Sequence, residues 1–234
     1  MMHLGKNNPR HRYTIQNGDN RSELSVTICE KDLGVYIDPL LNFNEHISYT
    51  LKKARSITGM ILRHIKGRTK DILIPLFIGL VRPILEYGNP VWCPMLRKDI
   101  DSIEKIQRNF TKRISGLNNL PYTDRLKALN LPSLEYRRKR GDMIETYKII
   151  HGMYDSVTTK SLITRNINSI TRSNTNKLYK PRCNTKKFQH FFCNRIINNW
   201  NSLPTKIVCA ESLNVFKNTL DKHWENIKFS INIE

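Results

Sequence analysis

Residues 76–94 read LFIGLVRPILEYGNPVWCP, and the apolar run Ile72, Leu73, Ile74 leads into them. This is the longest apolar segment of the chain. It stops sharply at Gly88, Asn89 and Pro90, and an aromatic and proline cluster follows at Val91, Trp92, Cys93 and Pro94. An apolar run of this length closed by turn residues reads as a buried central helix, with more polar helices on either side packed against it.

The flanks fit that arrangement. Asn42 or Asn44 is placed to cap a helix starting near Glu45, an acidic first turn that the helix dipole favours. At about 100° per residue, Ile47, Leu51, Ala54, Ile57, Ile61, Leu62 and Ile65 share one face, and Lys52, Arg55, Arg63 and Lys66 form a stripe on another. Such a stripe either tracks a phosphate backbone or solvates an outer face. After the central segment, Asp99-Ile100-Asp101 opens a second helix of this kind. Ile100, Ile103, Ile106, Phe110 and Ile114 point inward, Lys98, Lys105, Arg108 and Lys112 point outward, Glu104 is spaced to pair with Arg108, and Gly116 ends it.

Pro121 starts a short helix closed by Asn130-Leu131-Pro132. Ser133 caps the next, from Leu134 to about His151, with Gly152 at its end. Its first half carries Arg137, Arg138, Lys139 and Arg140, a basic tetrad that reads as a phosphate clamp, an import signal or a solvated face. Its second half, with Met143, Ile144, Tyr147 and Ile150, is core. Residues 155–175 are a polar linker with room for one short helix. Beyond them Lys177, Lys180, Arg182, Lys186 and Lys187 interleave with Tyr179 and Phe188, either to stack on unpaired bases between phosphates or as an arm with its aromatics tucked into the body. A helix through Phe191, Phe192, Ile196, Ile197 and Trp200, stopped by Ser202-Leu203-Pro204, and a last one from Ser212 through Val215, Phe216, Leu220 and Trp224 form a helical hairpin. At the other end, Leu24, Val26, Ile28 and then Leu33, Val35, Ile37 alternate with period two, giving two short strands.

The fold class is therefore mainly α: a multi-helix bundle with a small N-terminal β segment and a C-terminal helical hairpin. Its parts are residues 1–41, 42–130 and 131–234.

Composition points to a polyanionic partner. The 234 residues include 39 Lys and Arg against 20 Asp and Glu, a formal net charge of +19, so nucleic acid is the leading candidate. No apolar run reaches transmembrane length, since Pro75, Arg82 and Pro83 interrupt the longest, and Met1-Met2-His3-Leu4-Gly5 does not read as a signal peptide. An intracellular protein of the nucleus or cytoplasm is expected. The five cysteines are odd in number and scattered, which favours reduced thiols. Cys183, His190 and Cys193 lack a fourth ligand at zinc-site spacing, so no metal is assigned.

Several words of the sequence together resemble the thumb and post-thumb region of jockey-like non-LTR retrotransposon endonuclease-reverse transcriptases. They are Leu80-Val81-Arg82-Pro83-Ile84-Leu85-Glu86-Tyr87-Gly88 with Val91-Trp92, preceded by Lys31-Asp32-Leu33-Gly34-Val35 and followed by Ile103-Glu104, Ile106-Gln107-Arg108, Leu131, Ser133-Leu134-Glu135 and Trp200-Asn201-Ser202-Leu203-Pro204. The resemblance spans nearly the whole chain. It implies a thumb-like helical domain, with residues 1–41 as the end of a palm whose other strands would lie upstream, and hence a strand pair frayed in isolation. It also implies a role for the thumb: gripping an RNA–DNA template-primer duplex by its phosphates, with little dependence on sequence. The residues assigned to that grip are Lys52, Arg55, Arg63, Lys66, Lys98, Lys105, Arg108, Lys112, Arg137, Arg138, Lys139, Arg140, Lys180 and Arg182.

The parent family is an RNA-directed DNA polymerase, whose two-metal chemistry needs clustered carboxylates. This chain has no Asp-Asp pair. Asp99 and Asp101, at i,i+2 on a helix, diverge and read as a helix start. No catalytic residue is assigned, Mg²⁺ is expected only in a palm, and no polymerisation is expected from this chain by itself. A stand-alone nucleic-acid-binding protein and a helical assembly module whose basic face serves solubility are the competing readings.

Overall fold

The computed structural model describes residues 1–159, 162–165 and 176–231. It is mainly helical, with two small two-stranded sheets at the N-terminus. Helix α1 (Asn44–His64) is followed by α2 (Lys70–Leu76), a π-helical turn (Phe77–Val81) and α3 (Arg82–Glu86). The last three elements are one continuous rod and constitute the expected central helix. Leu73, Phe77, Val81 and Leu85 recur every four residues, and all are fully buried. Four residues overshoot an α-helical turn, and the wider π turn brings this spacing back toward one face. It also precedes Pro83, which lacks an N–H and would otherwise break an α ladder, and it is closed by a bond from Arg82 N to Phe77 O.

The rod ends where the sequence says it should. Gly88 takes a left-handed conformation (φ +66°) and a side chain there would meet Val35 at 3.2 Å and Trp92 at 3.4 Å. Helix α4 (Asn89–Trp92) then turns the chain into α5 (Arg97–Thr111). Helices α1 and α5 close on the rod to form the first core, in which the Phe77 and Phe110 rings lie 4.9 Å apart. Two details differ from the sequence reading. Helix α1 is capped by Asp38 rather than Asn42 or Asn44: its carboxylate accepts from Asn42 N at 2.8 Å and Phe43 N at 2.7 Å. Helix α5 ends at Thr111, ahead of Gly116, because the chain turns early to insert Ile114 into the core.

The N-terminal strands also differ. They are β1 (Thr14–Asn17) with β2 (Asn20–Glu23) and β3 (Glu30–Asp32) with β4 (Val35–Ile37), both pairs antiparallel. The alternation at Leu24, Val26 and Ile28 is not a strand, and Val26 and Ile28 are exposed. The polar hairpin instead forms around the Asn17-Gly18-Asp19-Asn20 turn. The second hairpin is not frayed. Leu33 and Gly34 both have positive φ, the condition for a tight hairpin turn. Tyr87 at the end of the rod donates to Leu33 O at 2.8 Å, and Val35 is buried in the core.

Helix α6 (Tyr122–Ala128) leads to α7 (Leu134–Ile150), whose N-terminus is capped by Ser133 accepting from Tyr136 N at 3.2 Å. The second half of α7 carries the second core. Helices α10 (Phe192–Ser202) and α12 (Leu213–His223), joined through α11 (Thr205–Val208), pack on it, with Phe216 4.5 Å from Tyr147 and 5.9 Å from Trp200. Helix α8 (Ser156–Thr159) falls in the expected linker; the remainder of that linker lies largely outside the described residues. Helix α9 (Lys186–His190) precedes α10. No helix among the described residues is long and apolar enough to cross a membrane.

Candidate functional site

Lys52, Arg55 and Arg63 are exposed along α1, and Lys66 is exposed just past its end. Lys98, Lys105 and Lys112 are exposed on or just beyond α5. None of these seven makes an ion pair among the described residues. Their apolar neighbours are locked into the first core, which fixes the direction each stripe faces.

One backbone bond brings the ends of the two stripes together. Ser115 N donates to Arg68 O at 2.8 Å, which holds the loop after α1 against the chain leaving α5. Arg63 and Lys66 thus share one end of the bundle with Lys112. Arg68 and Arg113, also exposed, join them. Neither was picked out from sequence, because neither falls on a helical stripe; Gly67-Arg68-Thr69 reads only as a turn. Both helix C-termini end here, and their carbonyl ends favour cations. Lys52 and Lys98 lie farther away along their helices, at ~1.5 Å per residue.

The remaining assigned residues divide differently. Arg108 is half-buried, with its guanidinium 5.0 Å from the Tyr122 ring centre. Its expected partner Glu104 is fully buried and faces elsewhere. Glu104 accepts from Tyr122 Oη at 2.5 Å and from Leu134 N and Glu135 N at 3.2 Å, so it caps α7 from α5. Burial raises the Glu104 carboxyl above its ordinary range, against the pull of these hydrogen bonds.

The basic tetrad is not a solvated row. Arg137 forms a two-pronged pair with Glu86, including Nη2 to Oε2 at 2.8 Å. Arg140 does the same with Asp221 at 2.5 and 2.8 Å. Arg138 is only 5% exposed. Lys139 is half-buried. Arg137, Arg138 and Arg140 are therefore withdrawn from the outer basic surface: the first half of α7 faces α3 and α12 rather than solvent.

Lys180 and Arg182 are exposed, as are Lys186 and Lys187. The aromatics beside them are not tucked in: Tyr179, Phe188 and Phe191 are each about half exposed. Phe188 and Phe191 line an apolar groove of about 570 Å³ with Leu40, Leu41, Val91 and Met95. Beneath it, Arg195 donates to Asp142 at 2.8 and 2.9 Å and to Asn89 O, Pro90 O and His190 O. This buried pair is invisible to sequence patterning, since its partners are 53 positions apart.

Cys183, His190 and Cys193 do not gather a metal-binding group of three or more His, Cys, Asp or Glu, and no other residues do so among those described. No protein-family model matches the chain. No solved structure matches it. Over 126 residues it is 27% identical to the uncharacterized protein B0403.1 of Caenorhabditis elegans, an alignment that takes in 53% of this chain and 64% of that protein's length.

Proposed function

We propose that the chain is the thumb and post-thumb part of a retrotransposon RNA-directed DNA polymerase, and that it grips an RNA–DNA duplex by its phosphates without catalysing synthesis. The reading rests on the cluster at the C-terminal ends of α1 and α5. Arg63, Lys66, Arg68, Lys112 and Arg113 are exposed there, without carboxylate partners among the described residues, on a rigid core. Phosphate recognition needs such cations and little else, and it carries no base specificity. The resemblance around Leu80–Gly88 and Trp92 supplies the parent family, and the arm at Lys180 and Arg182 is a second, outlying cationic segment.

Binding of a fluorescent RNA–DNA hybrid across a salt series tests this. Changing Lys52, Arg55, Arg63 and Lys66 to Glu is expected to abolish binding, and affinity for the unchanged protein is expected to be nearly independent of sequence. Equal binding by the charge-reversed protein would refute the reading and favour an assembly module whose basic face only confers solubility. Incorporation of deoxynucleotides by the purified chain would refute the non-catalytic part.

A further inference from the structure

A pocket of about 250 Å³ lies between the turn after α3 and the first half of α7, lined by Glu86, Asn89, Arg137, Arg138 and Gly141. Arg138 is 5% exposed and forms no salt bridge among the described residues, and its Nη2 is buried with no hydrogen-bond partner. Buried guanidinium groups are ordinarily paired, because removing the charge from water costs several kcal/mol.

Most nearby carboxylates are already engaged. Glu86 is held by Arg137, Asp142 by Arg195, and Glu145 by Lys148 and Tyr154. Glu104 and Asp142 attract Arg138 from a distance, but neither bonds to its Nη2.

A second orphan lines the same pocket. Asn89 Nδ2 donates to Asp142 at 3.2 Å, which fixes the amide orientation and leaves the buried Oδ1 as an acceptor without a donor. Gly141 contributes open space. It sits in mid-helix, where glycine costs about 1 kcal/mol relative to alanine, yet a side-chain carbon there would meet nothing within 4 Å. Packing does not require a glycine at this position.

We infer that this pocket binds a phosphate group, whose oxyanion satisfies Arg138 Nη2 and whose protonated oxygen donates to Asn89 Oδ1. The geometry fits a phosphate better than a halide or a simple carboxylate, because the two orphans demand an acceptor and a donor on one small ligand. The site is separate from the cluster at the ends of α1 and α5, so the duplex reading survives its failure.

Thermal unfolding in ~50 mM inorganic phosphate, against chloride at equal ionic strength, is the test. A rise of about 5 °C is expected for a dissociation constant of ~1 mM. Arg138→Met is expected to abolish the rise, Gly141→Leu to abolish it by filling the pocket without touching Arg138, and Lys105→Gln to leave it intact. If Arg138→Met does not fold, Gly141→Leu decides alone. A parallel comparison of oligonucleotides with and without a 5′-phosphate identifies the source. Roughly tenfold preference for the phosphorylated end, lost in Gly141→Leu, assigns the site to a strand terminus; a thermal shift without that preference assigns it to free phosphate. Neither a shift nor a preference, or a shift undiminished in Gly141→Leu, overturns the inference.

Discussion

Replacing Arg195 with Ala is expected to do more damage than any other single change to a charged residue. The guanidinium is 13% exposed and its partner Asp142 8%, so solvent screening cannot stand in for the lost charge. The substitution strands the Asp142 carboxylate, whose ionisation burial already disfavours and the Arg195 hydrogen bonds restore. It also removes the donors to Asn89 O, Pro90 O and His190 O. Breaking such a pair costs about 3–5 kcal/mol, a large part of the ~5–15 kcal/mol that holds a domain together, and lowers the midpoint by about 10 °C. These bonds tie the turn after the first core to α7 and α10 of the second, so the loss should be cooperative between them. Urea unfolding followed by tryptophan fluorescence checks this, since Trp92 lies in the first core and Trp200 in the second. Arg195→Met with Asp142→Leu should recover most of the loss, because removing both charges strands neither. A loss below about 1 kcal/mol in Arg195→Ala would refute the reasoning, since that is the value of an exposed pair.

Truncating Phe77, fully buried against Phe110, to Ala should cost about 3–5 kcal/mol in chemical denaturation. Ser133→Ala removes the cap of α7 and should cost about 1 kcal/mol by the same measure. His46 is 4% exposed, accepts from Tyr36 N through Nδ1 and lies against Trp92. Burial, then Lys31, lowers its pKa below 6.5. The unfolded chain therefore binds the proton first, and stability should fall as pH drops below about 6.5; in His46→Gln that part of the pH dependence should vanish from thermal melts.

How much was legible follows from how local each cause is. The period of Leu73, Phe77, Val81 and Leu85, the Ser133 and Ser212 caps and the glycine stops at Gly88 and Gly152 are written within a few residues of where they act, and the structure places them there. The strand at Leu24–Ile28 failed because alternation alone does not supply a partner. The polar segment Thr14–Glu23 folded as a hairpin because its turn residues do. Glu104 was misread for a related reason: Arg108 is its neighbour by helical spacing, but the N-terminus of α7 offers it two backbone N–H groups and a phenol in a site too dry for a loose ion pair.

The same distinction sets what the charge of this protein can do. Arg97, Arg125, Arg137, Arg140 and Arg195 are committed to carboxylates or carbonyls within the fold, where a planar fork of donors is worth more than a point charge. The exposed stripes are mostly lysine. A formal charge of +19 therefore overstates the phosphate contacts available at any one place. If duplex binding is centred on Arg63, Lys66, Arg68, Lys112 and Arg113, about five phosphates are neutralised, and the logarithm of affinity should fall with the logarithm of salt at a slope of roughly −4 to −5. Changing Arg68 and Arg113 to Gln should reduce that slope by about 2 while leaving melting temperature unchanged, because both side chains are exposed. An unchanged slope in the double variant would move the grip away from the ends of α1 and α5, toward the stripe at Lys52 and Arg55 or the arm at Lys180 and Arg182.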